Sequence, residues 1–155
     1  MSATRLNTDE QQSLADAVRA EHAAVYAYGL VAAYAADENI AAVNAAGAAH
    51  RSRRDATMRL LRTDGVEPPQ AEAGYVIPVP VTNPATAARL AAEVENETAL
   101  AWRSVLERST PTGDGSSTDL RAIAVTALTD CAVRMATWRA ALGESPPTSP
   151  FPGKP

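Results

Sequence analysis

The 155-residue sequence has little cysteine, no excess of positive charge and no long apolar run, and each absence excludes a class of protein. The single cysteine, Cys131, rules out an intrachain disulfide, and its apolar surroundings are typical of a small core side chain. The formal net charge of −4 argues against a nucleic-acid-binding surface, which is normally basic. The longest apolar stretch, 23–36, is interrupted by tyrosines and is too short to span a bilayer.

Signals for secretion and the common catalytic motifs are also missing. Residues 1–14 are polar and acidic, without the apolar segment of a secretory signal, so we expect a cytoplasmic protein with no membrane partner. No Ser/His/Asp or Cys/His set, phosphate-binding loop or nucleotide fingerprint is present. These absences favour a protein that is not an enzyme, although they leave catalysis open.

The distribution of proline predicts the helices. Three long segments contain no proline, namely 1–67, 85–110 and 112–145. Because proline breaks helix interiors, and because roughly a fifth of the residues are alanine, these segments favour long helices. The predicted helices span about residues 8–36, 39–63, 84–109 and 118–142. Thr8 with Gln11 resembles a capping box for the first, and Asn83 with Pro84 begins the third.

The segments between the helices define the architecture. Residues 66–83 carry four prolines and predict an extended crossover, while 111–117 predict a flexible turn. The fold class is therefore all-α, a four-helix bundle with a long crossover between its second and third helices. We expect one domain over residues 1–143, followed by a proline-rich tail at 144–155 that is extended or disordered.

One carboxylate falls at the centre of an apolar helix face. The residues of this stripe on the first helix are Leu14, Val18, Glu21, Val25, Tyr28, Ala32 and Ala35. Burying an unpaired charge in a bundle costs several kcal/mol or more. Glu21 therefore needs a partner inside the protein.

The other three helices each bring charged side chains toward the axis at a similar height. The predicted buried polar cluster consists of Glu21, Tyr28, His50, Arg54, Glu95, Glu97, Asp130 and Arg134. Either Glu95 or Glu97 is expected to point inward, whereas His22 is expected at the surface or flank. We expect Glu21 to pair with Arg54 or Arg134, because a guanidinium can donate two parallel hydrogen bonds to a carboxylate.

Three parts of the chain resemble an alanine-rich actinobacterial family that is classed as ferritin-like and has no assigned function. They are residues 21–29, residues 50–55, and Glu95 together with 101–103. The resemblance covers about residues 8–142 and implies a ferritin-like bundle. Members of that superfamily often hold two iron or manganese ions, with one Glu from each of two helices and a Glu-x-x-His from each of the others.

The match to that metal site is incomplete. Glu21 and Glu95 match the two single Glu ligands, but both Glu-x-x-His motifs are absent. Arginine stands in two of the ligand neighbourhoods, and its guanidinium cannot lose a proton to bind a cation. We therefore predict no cofactor. The alternative is iron, manganese or zinc held weakly by Glu21, His50 and Glu95.

Three functions are compatible with these residues. The first is a bundle with a structural, binding or self-associating role, whose ion network sets the register of the helices. The second is a metal-dependent oxidoreductase or metal-binding protein with a degenerate site. The third is a small-molecule binder whose pocket would be lined by Tyr26, Tyr28, Trp102 and Trp138. The ferritin-like resemblance also implies a homodimer formed through the first two helices, where Leu30 and Tyr34 are expected on the outer side.

Overall fold

A computed structural model describes residues 5–110 and 119–155. Within these ranges the chain has no strand, and a short 3-10 turn, Asp37–Asn39, separates the first two of its four helices. The helices are α1 (Thr8–Tyr34), α2 (Ile40–Thr63), α3 (Pro84–Arg108) and α4 (Leu120–Ala141). The predicted all-α four-helix bundle is confirmed. The turn predicted at 111–117 and the predicted start of the fourth helix at 118 lie outside the described residues.

Side-chain caps begin α1 and α3. The Asn7 side chain accepts a hydrogen bond from the Glu10 backbone N–H, and the Glu10 carboxylate accepts one from the Asn7 N–H. The capping box expected at Thr8 is therefore wrong, because the box begins one residue earlier. At α3 the prediction is confirmed, since Asn83 caps the helix and Pro84 occupies a position where its missing N–H needs no partner.

The helices pack in the spatial order α2–α1–α3–α4. Close backbone packing joins α1 to α2, α1 to α3 and α3 to α4, whereas within residues 5–110 and 119–155 α2 does not pack closely against α4. Tyr28 bonds to Glu95 while Glu21, earlier in α1, bonds to Trp102, later in α3, so α1 and α3 are antiparallel. No helix in the described part of the chain combines the length and the apolar character needed to cross a bilayer.

Two apolar clusters fill the ends of the bundle and leave its middle for polar residues. One cluster includes Tyr28, Val31, Val43, Leu90 and Trp138. The other includes Leu14, Val18, Leu61, Trp102 and Leu120. Glu21, His50 and Glu95 lie between these clusters along their helices and are completely buried.

The crossover covers the groove between α1 and α3. Its residues Ile77, Val79 and Val81 pack against the core, and the Pro69 carbonyl lies 3.1 Å from Nε2 of His22. His22 is consequently buried, so the expectation that it lies at the surface is wrong. A helical wheel could not reveal this, because the covering segment is remote in sequence.

The proline-rich tail is docked on α3. Gly153 has a φ of 72°, and a Cβ at this position would lie 2.6 Å from the carbonyl oxygen of Ala99. Only glycine accommodates both the left-handed conformation and such a close approach to the backbone. The tail therefore forms part of the bundle surface.

Candidate functional site

His50 links carboxylates from two other helices. Its Nδ1 lies 2.7 Å from Oε2 of Glu21, and its Nε2 lies 3.1 Å from Oε1 of Glu95. All three side chains are completely buried. Two ionised carboxylates can only accept hydrogen bonds, so between them both ring nitrogens donate and His50 is an imidazolium.

The electrostatics agree with this protonation state. Burial by itself would lower the pKa of His50, because it penalises the charged form. The hydrogen bonds and negative charges of Glu21 and Glu95 outweigh burial and raise the pKa of His50 to about 9. The imidazolium is therefore the stable form at neutral pH.

Three aromatic side chains supply further donors to the network. Trp102 Nε1 donates to Oε1 of Glu21 at 2.7 Å, and the Tyr28 hydroxyl donates to Oε1 of Glu95 at 2.5 Å. Trp138 Nε1 in turn donates to the Tyr28 oxygen at 3.0 Å. Burial, and then the charge of Glu95, raises the pKa of Tyr28 above its ordinary value, which keeps the phenol protonated.

The indole groups were not predicted as members of the network. The sequence placed Trp102 and Trp138 among core or pocket residues, yet each N–H donates inside the bundle. The available signal was chemical, because a buried tryptophan N–H normally has a hydrogen-bond partner. A carboxylate such as Glu21 at the same height was a suitable acceptor.

Arg53, and not Arg54, reaches the network. Arg53 Nη2 lies 2.6 Å from Oδ2 of Asp130, and its Nη1 lies 3.6 Å from Oε1 of Glu21. Arg54 instead pairs with its neighbour Asp55 at 2.8 Å near the surface. Since α2 packs closely against α1 but not against α4, the space for a guanidinium lies on the α4 side, where Arg53 points.

Of the other residues predicted for the buried polar cluster, some lie inside the bundle and one lies at the surface. Glu95 points inward, whereas Glu97 is exposed. Arg134 approaches the network near Tyr28, where its positive charge acts to lower the pKa of that phenol. Glu21 is held by His50, Trp102 and Arg53, so its predicted pairing with Arg54 or Arg134 is wrong.

Two buried side-chain atoms of the described residues have no hydrogen bond. Among the residues that the structure describes, Oε2 of Glu95 and Nη1 of Arg134 are buried and have no partner. One is an acceptor and the other a donor. Both belong to charged groups, for which an unmade hydrogen bond is costly.

The arrangement is suited to charge compensation. Three carboxylates, on Glu21, Glu95 and Asp130, contact two cationic groups, on His50 and Arg53, while the positive charge of Arg134 acts on nearby Tyr28. Both nitrogens of His50 are engaged, so it has no lone pair with which to act as a base. Burial, and then the charge of Glu95, raises the pKa of the Cys131 thiol, which keeps it protonated and unreactive.

The same geometry does not suit a metal ion. Over the described ranges, no group of three or more His, Cys, Asp or Glu side chains is arranged to hold one. The set expected from the sequence, Glu21, His50 and Glu95, does meet, but through hydrogen bonds that use both imidazole nitrogens. A ligating histidine must instead offer a free nitrogen lone pair.

The fold and the site together define a class of protein: an all-α four-helix bundle in which hydrogen-bonded Glu, His and Glu side chains cross the interior at mid-height. The chain belongs to the family described as a domain of unknown function, DUF4439, whose sequence pattern matches residues 13–155. It is similar to the crystal structure of a conserved hypothetical protein, rv2844, from Mycobacterium tuberculosis, with 39% identity and a TM-score of 0.80. That similarity covers 88% of this chain and 99% of the other. No curated protein matches the chain.

Replacing Glu21 with glutamine tests the buried charge. Glu21→Gln keeps the shape of the side chain but leaves the His50 imidazolium facing an uncharged amide. We expect the free energy of unfolding to fall by about 3 kcal/mol, as when one partner of a buried ion pair is lost. Urea unfolding followed by circular dichroism measures the change.

Asp16→Asn is the matched control, since it breaks an exposed ion pair of the same helix, 2.7 Å from Arg19. Its effect should stay within about 0.5 kcal/mol. If Glu21→Gln costs no more than Asp16→Asn, Glu21 is not part of a buried network.

His50 makes stability depend on pH. Its pKa rises from the ordinary value of 6.5 in the unfolded chain to about 9 in the folded protein. The folded state therefore binds the proton more tightly, and this stabilisation is complete below pH 6.5 and lost as pH rises to about 9. We expect a loss of about 3 kcal/mol across this window, measured by urea unfolding at a series of pH values.

Two variants identify the group responsible. The pH-dependent loss should persist in His22→Gln and flatten in His50→Gln. An equal loss in His50→Gln would assign the pH dependence to another group.

Proposed function

We propose that this chain is a ferritin-like bundle in which an internal ion network takes the position of a metal centre, with a structural, binding or self-associating role. One observation carries the proposal: the two ring nitrogens of the buried His50 lie 2.7 and 3.1 Å from carboxylate oxygens of Glu21 and Glu95. The imidazolium and the Arg53 guanidinium supply, between these carboxylates, the positive charge that metal ions would supply in a ferritin-like centre.

The residues do not fit a di-metal centre. Such a centre uses four carboxylates and two histidines with free nitrogens. In the described part of the chain, two completely buried carboxylates, Glu21 and Glu95, contact the His50 ring, and they engage both of its nitrogens. A guanidinium 3.6 Å from Glu21 also repels a cation at this position.

Metal binding is the second candidate function, as a metal-binding protein or metal-dependent oxidoreductase with a degenerate site. The observation in its favour is the buried Oε2 of Glu95, which has no hydrogen-bond partner among the described residues and could face a cation. Loading would require His50 to lose a proton and to leave one of its carboxylates. The third candidate, a small-molecule binder, has less support. The polar atoms of Tyr28, Trp102 and Trp138 already form hydrogen bonds within the network, so they are not free to bind a ligand there.

Metal content separates the first two candidates. Protein expressed in medium supplemented with iron, manganese and zinc should contain none of them in stoichiometric amount, because the site is already neutralised by protein cations. Elemental analysis of the purified protein measures this, and a chelator should not change its melting temperature. A stoichiometric metal content that disappears in Glu21→Gln would overturn the proposal in favour of the metal-binding candidate.

Self-association is the form of binding that the surface favours. Tyr34 at the end of α1 and Ile40 at the start of α2 are large side chains that are 41% and 38% exposed. Both lie beside the α1–α2 turn, on the two helices through which the homodimer is expected to form. Leu30, expected on the outer side, is instead partly buried and packs against the core.

A homodimer through this surface makes a direct prediction. The wild-type protein should sediment as a dimer at micromolar concentration, and Tyr34→Glu should shift it to monomer by placing a charge in the interface. Val76→Glu, on the crossover at a side chain that is 95% exposed, is the control and should remain dimeric. A wild-type monomer over the whole concentration range would contradict the prediction.

The expected cytoplasmic location stays a prediction.

A further inference from the structure

The side of the bundle between α2 and α4, here called the seam, differs from its other sides. The described helices α1 and α2, α1 and α3, and α3 and α4 pack closely through their backbones, but α2 and α4 do not. The seam is instead bridged by side chains, with the Arg53 guanidinium on α2 and the Asp130 carboxylate on α4 joined at 2.6 Å. This bridge stands between solvent and the middle of the bundle.

Exposure increases outward along this bridge. The Asp130 side chain is 44% exposed and the Arg53 side chain 13%, whereas Glu21 is completely buried. Arg53 Nη1 lies 3.6 Å from Oε1 of Glu21 and 3.9 Å from Sγ of Cys131. Cys131 is also completely buried. A single arginine thus contacts both the network and the thiol on the seam side.

The bridge is the weakest part of the polar network. A partly exposed ion pair contributes little to stability, because water and salt compete for both partners. If Arg53 swings outward, Glu21 keeps its hydrogen bonds to His50 and Trp102. The bridge can therefore open without dismantling the charges behind it, as a local event distinct from global unfolding.

We propose that Arg53 and Asp130 form a latch across the seam, and that its opening is the route by which small solutes reach the buried network and Cys131. The latch is a property of this surface and does not depend on whether the bundle self-associates or binds metal. It places the entrance to the interior at mid-height between α2 and α4. The α1–α3 groove on the other side is covered by the crossover.

Cys131 is a built-in reporter of the latch. It is the sole cysteine of the chain, so any thiol reaction can be assigned to it. While it is buried its pKa is raised, and the neutral thiol reacts slowly. Opening of the latch would expose the sulfur to water and restore its reactivity.

The test is the rate at which N-ethylmaleimide, a small uncharged thiol reagent, modifies native protein. Asp130→Asn removes the charge that holds Arg53, and we expect it to accelerate labelling by about fivefold. In the wild type, high salt should accelerate labelling in the same direction by screening the ion pair, and Asp130→Asn should be insensitive to salt.

Asp55→Asn is the matched control, because it removes the partner of Arg54 on the same helix without touching the seam. Its labelling rate should stay within about twofold of the wild type. At low urea concentrations the labelling rates of the wild type and of Asp130→Asn should not change with urea concentration, because local opening exposes little surface.

Two outcomes would overturn the latch. One is an Asp130→Asn labelling rate equal to that of Asp55→Asn. The other is a wild-type rate that rises with urea along the slope of global unfolding from the lowest concentrations, since the thiol would then be reached only through the unfolded chain. Neither outcome bears on metal content or sedimentation, so failure of the latch and failure of the proposed function are distinguishable.

Discussion

The cost of removing two carboxylates from water is the constraint on which the rest of this bundle depends. Glu21 and Glu95 are completely buried, and such groups remain ionised only if nearby cations and donors replace their hydration. His50 compensates both at once, because an imidazolium has a proton for each of two opposed acceptors. A neutral histidine could donate to only one of them.

This bridging couples the heights of three helices. A shift of α2 by one turn, about 5 Å, would break the bonds from His50 to both carboxylates. The same shift between α1 and α3 would separate Trp102 from Glu21 and Tyr28 from Glu95. Alanine-rich faces are smooth and specify register poorly by packing alone, so the polar contacts give this bundle a specificity that its small side chains lack. Buried polar groups have the same effect in coiled coils.

Space inside the bundle is distributed unevenly, and this determines which arginine acts. The seam between α2 and α4 has room for a guanidinium, so Arg53 reaches Glu21 and Asp130, while Arg54 remains at the surface with Asp55. The opposite groove is closed by the crossover, which also buries His22 against Pro69. The interior is thus shielded from solvent by the crossover segment on one side and by the partly exposed Arg53–Asp130 ion pair on the other.

The sequence alone determined what depends on near neighbours along the chain. The proline-free segments, the Asn83–Pro84 start of α3 and the position of Glu21 in an apolar stripe are local features, and they predicted the four helices and the need for a buried partner. The same periodicity brought His50 to the height of Glu21, but on the third helix it left Glu95 and Glu97 as alternatives. Only the tertiary structure decided that Arg53 replaces Arg54, that indole N–H groups complete the network and that His22 is covered. These outcomes depend on how each helix is rotated and which neighbour leaves space beside it, and residues remote in sequence set both.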